Sequence, residues 1–308
     1  MTPRDRFAVS IEGRDVDLSN LDKVLYPAAG FTKGEVIDYY TRIAPVMLPH
    51  LRDRPATRIR FPNGVGGAHF FEKNKPAGTP GWVRLETLAA PGSTKSRETI
   101  EYVVVDDLPT LVWLANLAAL ELHTPQWRVG ADPDLMVVDL DPGAPAGLTE
   151  CCAVAMLMRD RLAADGIDAY PKTSGKKGMQ LCCPISGTQD SEVVSAYAKK
   201  VAEELAAMVP GSITAKMAKA VRPGKIFIDW SQNNAAKTTV TPYSLRAGER
   251  PTASTPLTWD EVMAMATGEV PARQFGADEV LERVEEHGDL LAGMLDSGNV
   301  VPEAYRRK

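Results

Sequence analysis

Leu135-Met136-Val137-Val138-Asp139-Leu140-Asp141-Pro142 is the stretch from which the rest of the chain can be read. An apolar run leads into two acids spaced i and i+2, and a strand points such residues to the same face. Asp139 and Asp141 therefore stand side by side where the strand ends, a hard-oxygen pair suited to Mg²⁺ or Mn²⁺. The same letters also describe a turn, Asp141-Pro142-Gly143, with Asp139 as its hydrogen-bond acceptor. A third acid in a second β-like run, Asp229 in Ile226-Phe227-Ile228-Asp229-Trp230, favours the first reading. Carboxylates on neighbouring strands could hold two divalent ions for phosphoryl transfer.

Working outward, the second half keeps an α/β rhythm. Residues 135–139 read as a strand, 149–164 as a helix, and 169–172 and 181–184 as strands. Residues 191–208 form a helix with Val194, Tyr197, Val201, Leu205 and Met208 on one face, and 226–230 a further strand. Upstream, Thr32 and Glu35 make a capping box for a helix with Val36, Tyr39, Tyr40, Ile43 and Met47 as its apolar stripe, ended by Pro49 and the charged Leu51-Arg52-Asp53-Arg54-Pro55 segment. Strands are expected at 57–61, 70–71 and 102–105, and a nearly all-apolar buried helix at 110–122. Downstream, Thr258 and Glu261 form a second capping box, and 278–295 fits one long polar-faced helix. This order predicts an α+β fold with a split βαβ layout. Its seam is expected at Gly130-Ala131-Asp132-Pro133, giving parts 1–130, 131–250 and a C-terminal helical extension 251–308 within one compact catalytic unit.

The 308 residues are 44% hydrophobic, enough for a folded core, and no apolar run reaches the roughly 18 residues of a membrane span. The start, Met1-Thr2-Pro3-Arg4-Asp5-Arg6, mixes charges without a following apolar region, so no signal peptide and a cytoplasmic location are expected. Cys151-Cys152 and Cys182-Cys183 lack zinc-site spacing and read as small buried hydrophobes, so no structural zinc is expected. The formal charge of -5 is unevenly spread: residues 251–308 hold five Lys/Arg against eleven Asp/Glu, whereas 214–250 hold Lys216, Lys219, Arg222, Lys225, Lys237, Arg246 and Arg250 against Asp229 and Glu249. A local basic surface suits a phosphate-rich substrate.

Lys172-Thr173-Ser174-Gly175-Lys176-Lys177-Gly178 adds a candidate triphosphate site. Its glycines permit close backbone approach and exposed N–H groups, and its hydroxyls and lysines add donors and charge. It lacks Walker A spacing, and a solvated basic turn is the plainer alternative. The polar run Ser231-Gln232-Asn233-Asn234 after the second acidic strand could meet sugar or phosphate, with Lys237 and Arg246 following.

These three blocks, in this order, resemble the polymerase domain of bacterial non-homologous end joining ligase D proteins and its stand-alone relatives, within the archaeo-eukaryotic primase superfamily. The acidic pair matches Asp139 and Asp141, the last metal-binding Asp matches Asp229, and the S-G-x-K-G-x-H loop matches residues 174–180. The family's later Gln/Asn pair and Arg match Gln232-Asn233 and Arg246, and its L-E-[LI]-H segment matches Leu120-Glu121-Leu122-His123. The N-terminal signature matches Asn20 through Gly34, where two lysines corresponding to Lys23 and Lys33 hold the 5′-phosphate downstream of a DNA gap. Phe70 and Phe71 match an aromatic pair that packs on the template base. Read alone, both suit a core, and adjacent strand residues would face opposite ways. His123 read alone is a structural cap.

The resemblance implies a primase-polymerase fold, with an N-terminal α/β subdomain packed on an RRM-like catalytic subdomain. It implies a two-metal site of Mn²⁺ or Mg²⁺ on Asp139, Asp141 and Asp229. His123, Ser174, Gly175, Lys176, Lys177, Gln180, Gln232 and Arg246 would serve the NTP or dNTP, and Asn20, Lys23, Lys33, Phe70 and Phe71 the DNA. The expected activity is short-gap filling or end processing from a primer 3′-hydroxyl, often with ribonucleotides. The protein would be a nucleoid-associated monomer working with a separate DNA ligase and end-binding repair proteins. De novo primer synthesis and non-catalytic 5′-phosphate end binding are the rivals. One departure stands out: Gln180 occupies the loop's His position, and a neutral amide offers a weaker donor than imidazolium. On that reading, restoring His would tighten nucleotide use.

Overall fold

The computed structural model describes residues 6–89, 98–296 and 298–302, so the charged start Met1–Asp5 lies outside the described residues. Contacts divide the chain into two compact units. One takes residues 1–124, 240–253 and 276–288, and the other 125–239, 254–275 and 289–308. Residues 240–253 and 276–288 thus group with the N-terminal part, against their order in the sequence. Contacts explain this: Arg42 pairs with Glu285 at 3.0 Å, and the short strands Leu245–Arg246 and Thr252–Ala253 pair within the first unit.

In the first unit, β1 (Arg6–Ile11) and β2 (Arg14–Ser19) form a hairpin, and β3 (Val24–Tyr26) pairs with β4 (Phe31–Thr32). The capping box at Thr32 opens α1 (Lys33–Leu51), whose expected stripe is buried. The charged segment ends this helix at Leu51, as expected, two residues past Pro49, which removes a single N–H while the last turn closes through Arg52 N–H to the Leu48 carbonyl at 3.0 Å. A sheet follows in the order β9–β5–β8–β7, built from β5 (Pro55–Arg60), β7 (Leu85–Ala89), β8 (Thr99–Val104) and β9 (Ala119–Thr124), with β6 (Phe70–Glu72) added to β5.

The helix expected over 110–122 is two elements. α2 (Leu108–Asn116) starts on an Asp107 cap, Ala118 turns at a φ of 56°, and the remainder is β9, paired with β5 across one register shift. A nearly all-apolar run carries no period to separate helix from strand. Ladder bonds to β5 decide it, overriding local propensity.

The second unit is a helix-backed sheet in the order β11–β12–β10–β14–β13. Its strands are β10 (Leu135–Pro142), β11 (Tyr170–Thr173), β12 (Met179–Pro184), β13 (Ile213–Thr214) and β14 (Ile226–Asp229). α3 (Leu148–Ala163) joins β10 to β11, and α4 (Ser191–Met208) follows β12. The order β14–β10–β12–β11, antiparallel throughout, is the split βαβ arrangement expected, with β13 added in parallel at one edge. α5 (Trp259–Thr267) begins at the Thr258 capping box. The single long helix expected over 278–295 is instead α6 (Ala277–His287), stopped at Gly288 with φ 68°, and a separate short turn, Ala292–Leu295. Leu291 and Met294 leave the helical path to pack on Cys182. All four cysteines are buried and free. Among the described residues no helix is long and apolar enough to cross a membrane.

Candidate active site

Strand register assembles the centre of the second unit. Lys172 stands opposite Gln180, Gln180 opposite Asp139, and Asp139 opposite Asp229. Directly paired residues share a face, so four polar side chains cross four apolar strands in one row, and Asp141 joins that face two residues along. Lys172, almost wholly buried, donates to Gln180 Oε1 at 2.5 Å and to Ser254 Oγ at 2.7 Å. Gln180 passes its amide N–H to Asp139 Oδ1 at 3.0 Å. Gln232 Nε2 reaches two of the three acids, Asp229 Oδ2 at 3.0 Å and Asp139 Oδ2 at 3.5 Å. Asp229 also accepts from Ser231 N–H at 3.0 Å and Ser231 Oγ at 2.5 Å, and the Lys237 ammonium donates to that same hydroxyl.

The expected acids are therefore together, and their charge is under-compensated. Burial, then Asp141 and Asp229, push Asp139 up to about 7 against the pull of Gln180 and Lys172. Burial and Asp229 also raise Asp141, opposed by Arg222. Like charges held this close in a poorly solvated place call for cations, and an all-oxygen donor set suits Mg²⁺ or Mn²⁺. Asp139, Asp141 and Asp229 fit the two-ion group on that chemistry. Among the described residues no three metal-ligating side chains are already drawn into a closed set. Gln180, Gln232 and Ser231 occupy carboxylate lone pairs.

The loop at 174–178 has a different construction from that expected. The glycines do not leave consecutive N–H groups free, because those of residues 174–176 are used inside the protein. Ser174 N–H bonds to the Gly178 carbonyl at 3.0 Å, Gly175 N–H to Gln274 Oε1 at 2.7 Å, and Lys176 N–H to Ser174 Oγ at 3.3 Å. Gly175 is needed for its φ of 73°, and at Gly178 a Cβ would run into the Leu140 carbonyl. The side chains of Lys176 and Lys177 lie exposed, so what the loop presents outward is side chains rather than a run of backbone N–H groups. Asn233 is structural: its amide makes paired bonds, both 2.8 Å, with the Val137 backbone.

Two further groups of expected residues lie in the first unit. At the end of β9, His123 Nε2 is 3.0 Å from Glu121 Oε2, and Arg246 Nε is 3.4 Å from the same oxygen. Glu121 is buried and also accepts Ala247 N–H at 3.0 Å, so one carboxylate orients two of the expected nucleotide residues. At the other group, Asn20 turns the chain at φ 51° and accepts Lys23 N–H at 3.1 Å. Lys33, buried, donates to the Ser19 carbonyl at 2.5 Å, and the exposed Lys23 to Asn63 Oδ1 at 3.1 Å. Burial and Lys23 lower Lys33 to about 8. Phe70 and Phe71 are both exposed, at 51% and 57%, so neither is core, contrary to what the sequence read alone suggests. β6 is three residues long and pairs only with β5, leaving both rings uncovered.

Lys172 and Glu121 lie inside segments the sequence marks but carry no expected role of their own, and Gln274 lies outside every marked segment. A Glu inside an apolar strand and a Lys inside another were available signals. Gln274 had none.

The family model described as LigD, primase-polymerase domain, matches residues 32–291. The chain is 44% identical over 282 residues to the multifunctional non-homologous end joining protein LigD of Mycolicibacterium smegmatis, covering 90% of this chain and 36% of that protein. Against the bifunctional non-homologous end joining protein LigD of Bacillus subtilis identity is 33% over 275 residues, covering 89% and 43%. The polymerase domain from Mycobacterium tuberculosis ligase D in complex with DNA matches with a TM-score of 0.85 and 41% identity, covering 91% of this chain and 98% of that one. The chain thus spans well under half the length of these curated relatives.

Proposed function

The chain belongs to the LigD primase-polymerase domain family, and we propose from that membership that it is a DNA-repair polymerase. It adds nucleotides to a primer 3′-hydroxyl at short gaps or broken ends. The observation that carries this reading is the row Lys172–Gln180–Asp139–Asp229 with Asp141 beside it. Asp139, Asp141 and Asp229 would hold two divalent cations, which when bound acidify the attacking hydroxyl and neutralise charge on the transferring phosphoryl group. Gln180 and Gln232 fix the carboxylate orientations beforehand, so little reorganisation is needed when substrate arrives. The Ser174 hydroxyl and the Lys176 and Lys177 ammonium groups bind the triphosphate. Glu121 holds the side chains of His123 and Arg246, which are assigned to the nucleotide. Lys23 and Lys33 bind a downstream 5′-phosphate, and Phe70 and Phe71 stack on the template base. Ribonucleotide preference and Mn²⁺ preference belong to this reading as well.

Primer extension tests it, on gapped DNA with and without a 5′-phosphate, with each nucleotide type and each metal. Extension that the phosphate stimulates and Asp139→Ala/Asp141→Ala abolishes is the expected result. Binding of phosphorylated gaps without extension at any Mn²⁺ concentration would leave an end-binding module instead.

A further inference from the structure

The C-terminal stretch of the second unit returns to the phosphate loop twice. Residues 254–257 run beside its entry, where Thr173 N–H donates to the Thr255 carbonyl at 2.8 Å and Leu257 N–H to the Pro171 carbonyl at 3.0 Å. After α5 the chain comes back at Gln274, whose amide spans the loop. Its Oε1 accepts Gly175 N–H at 2.7 Å, and its Nε2 donates to the Gly178 carbonyl at 3.1 Å. The next residue, Phe275, is buried, with the Arg273 guanidinium 4.7 Å above its ring, so Gln274 is delivered from anchored backbone.

The loop closes on itself from Ser174 N–H to the Gly178 carbonyl at 3.0 Å. Gly175 sits between them in a left-handed conformation that glycine holds at no steric cost but also leaves easily. A primary amide is suited to stop that motion, because it offers a donor and an acceptor side by side to one N–H and one carbonyl. With the loop so held, Ser174 Oγ accepts Lys176 N–H and keeps its own O–H for a ligand.

We propose that Gln274 is a positioning residue for triphosphate binding, bridging Gly175 and Gly178 so that the loop is ordered before the anion arrives. This rests on the assignment of the triphosphate to residues 174–177 made above. Without the bridge, binding must order the loop, and affinity falls by that entropy. The effect belongs to nucleotide binding, not to the chemical step.

The test uses the full chain and three variants, Gln274→Ala, Gln274→Glu and Lys177→Ala. Nucleotide Kd is measured with a fluorescent ATP analogue, KM and kcat by primer extension, and amide hydrogen exchange across 174–178. Gln274→Ala is expected to raise Kd and KM about tenfold, leave kcat within about threefold, and speed exchange at Gly175 with the thermal midpoint unchanged. Gln274→Glu keeps the acceptor but loses the donor and adds a negative charge, so its loss is the larger. If Lys177→Ala leaves Kd unchanged, the triphosphate assignment itself is wrong. If Lys177→Ala raises Kd while Gln274→Ala leaves Kd and exchange unchanged, or tightens binding, the positioning role is overturned. A fall in thermal midpoint and kcat at constant Kd overturns it too, by making Gln274 merely structural.

Discussion

The acid row of the second unit and the lysine pair of the first are electrostatic mirror images held by different means. In the row, burial and like charges push Asp139 up to about 7; in the pair, burial and Lys23 push Lys33 down to about 8. Each group is poorly suited to its own charge and well suited to a ligand of the opposite sign. The row is placed by antiparallel register across β12, β10 and β14, which backbone bonds fix. The pair is placed by turns: Lys33 N–H bonds to the Lys23 carbonyl at 2.8 Å, and Gly34 N–H to the Leu21 carbonyl at 2.8 Å. On the proposed reading, cations would meet a rigid frame and the phosphate a local one. Substitutions in the row should act on chemistry, and those in the pair on DNA choice.

Asp139→Asn should show the largest effect and separates charge from geometry. Gap filling is expected to fall about 10³-fold or more, since a lost metal ligand removes several kcal/mol from the barrier. Binding to phosphorylated gapped DNA should be kept. Metal-free stability should move the other way. A carboxyl raised in the fold contributes stability that is present below its unfolded value near 4 and is lost as pH rises to about 7. The neutral variant escapes that loss, so its thermal midpoint should exceed that of the parent chain at pH 7.5 and converge with it near pH 4. A lower midpoint at pH 7.5 would mean that the acids are already compensated, and the symmetry with the lysines would break.

Lys33→Met should be milder and confined to one substrate feature. Affinity for recessed 5′-phosphate DNA is expected to drop about tenfold, with 5′-hydroxyl DNA unaffected and kcat retained. The pH dependence has a definite sign. Lys33 must be charged to bind phosphate, so above pH 8 binding takes up a proton and the preference for phosphorylated ends should decline between pH 7 and pH 9. The unliganded fold behaves oppositely: a lowered lysine contributes stability present above its unfolded value near 10.5 and lost as pH falls through 8. Anisotropy titrations with paired phosphorylated and unphosphorylated duplexes would read this directly. A preference constant across that range would remove Lys33 from phosphate recognition.

Much of the row could be read from the amino acids, and little of what supports it. Asp139, Asp141 and Asp229 each end an apolar strand, a local pattern, and the capping boxes at Thr32 and Thr258 are equally local. The break inside 110–122 is not local, because α2 and β9 are separated by one left-handed alanine within uninterrupted apolar sequence. Nor is Gln274, which acts 99 residues from Gly175. Phe70 and Phe71 show the reverse error: aromatic residues that pattern alone would bury are held half-exposed on a short strand. Long-range pairing and exposure are the properties that composition and period do not encode.

Gln180→His should give the smallest change, although the sequence alone predicts a tighter grip on nucleotide. Register fixes the position between Lys172 and Asp139, and Gln180 is only 5% exposed. A neutral imidazole there can donate one N–H to the carboxylate and accept from the ammonium through its other nitrogen, repeating the amide bridge. An imidazolium would turn its second N–H toward Lys172, a like-charge contact that the buried ammonium disfavours. The variant should therefore keep nucleotide KM within about threefold at pH 7.5. Any difference should appear only as pH falls toward 6, where an ordinary histidine charges. A substantial gain in nucleotide affinity at pH 7.5 would show that the side chain at 180 reaches the triphosphate. Lys172 would then have to surrender its bond to that residue, and the row would be a movable part rather than the fixed counterpart of the lysine pair.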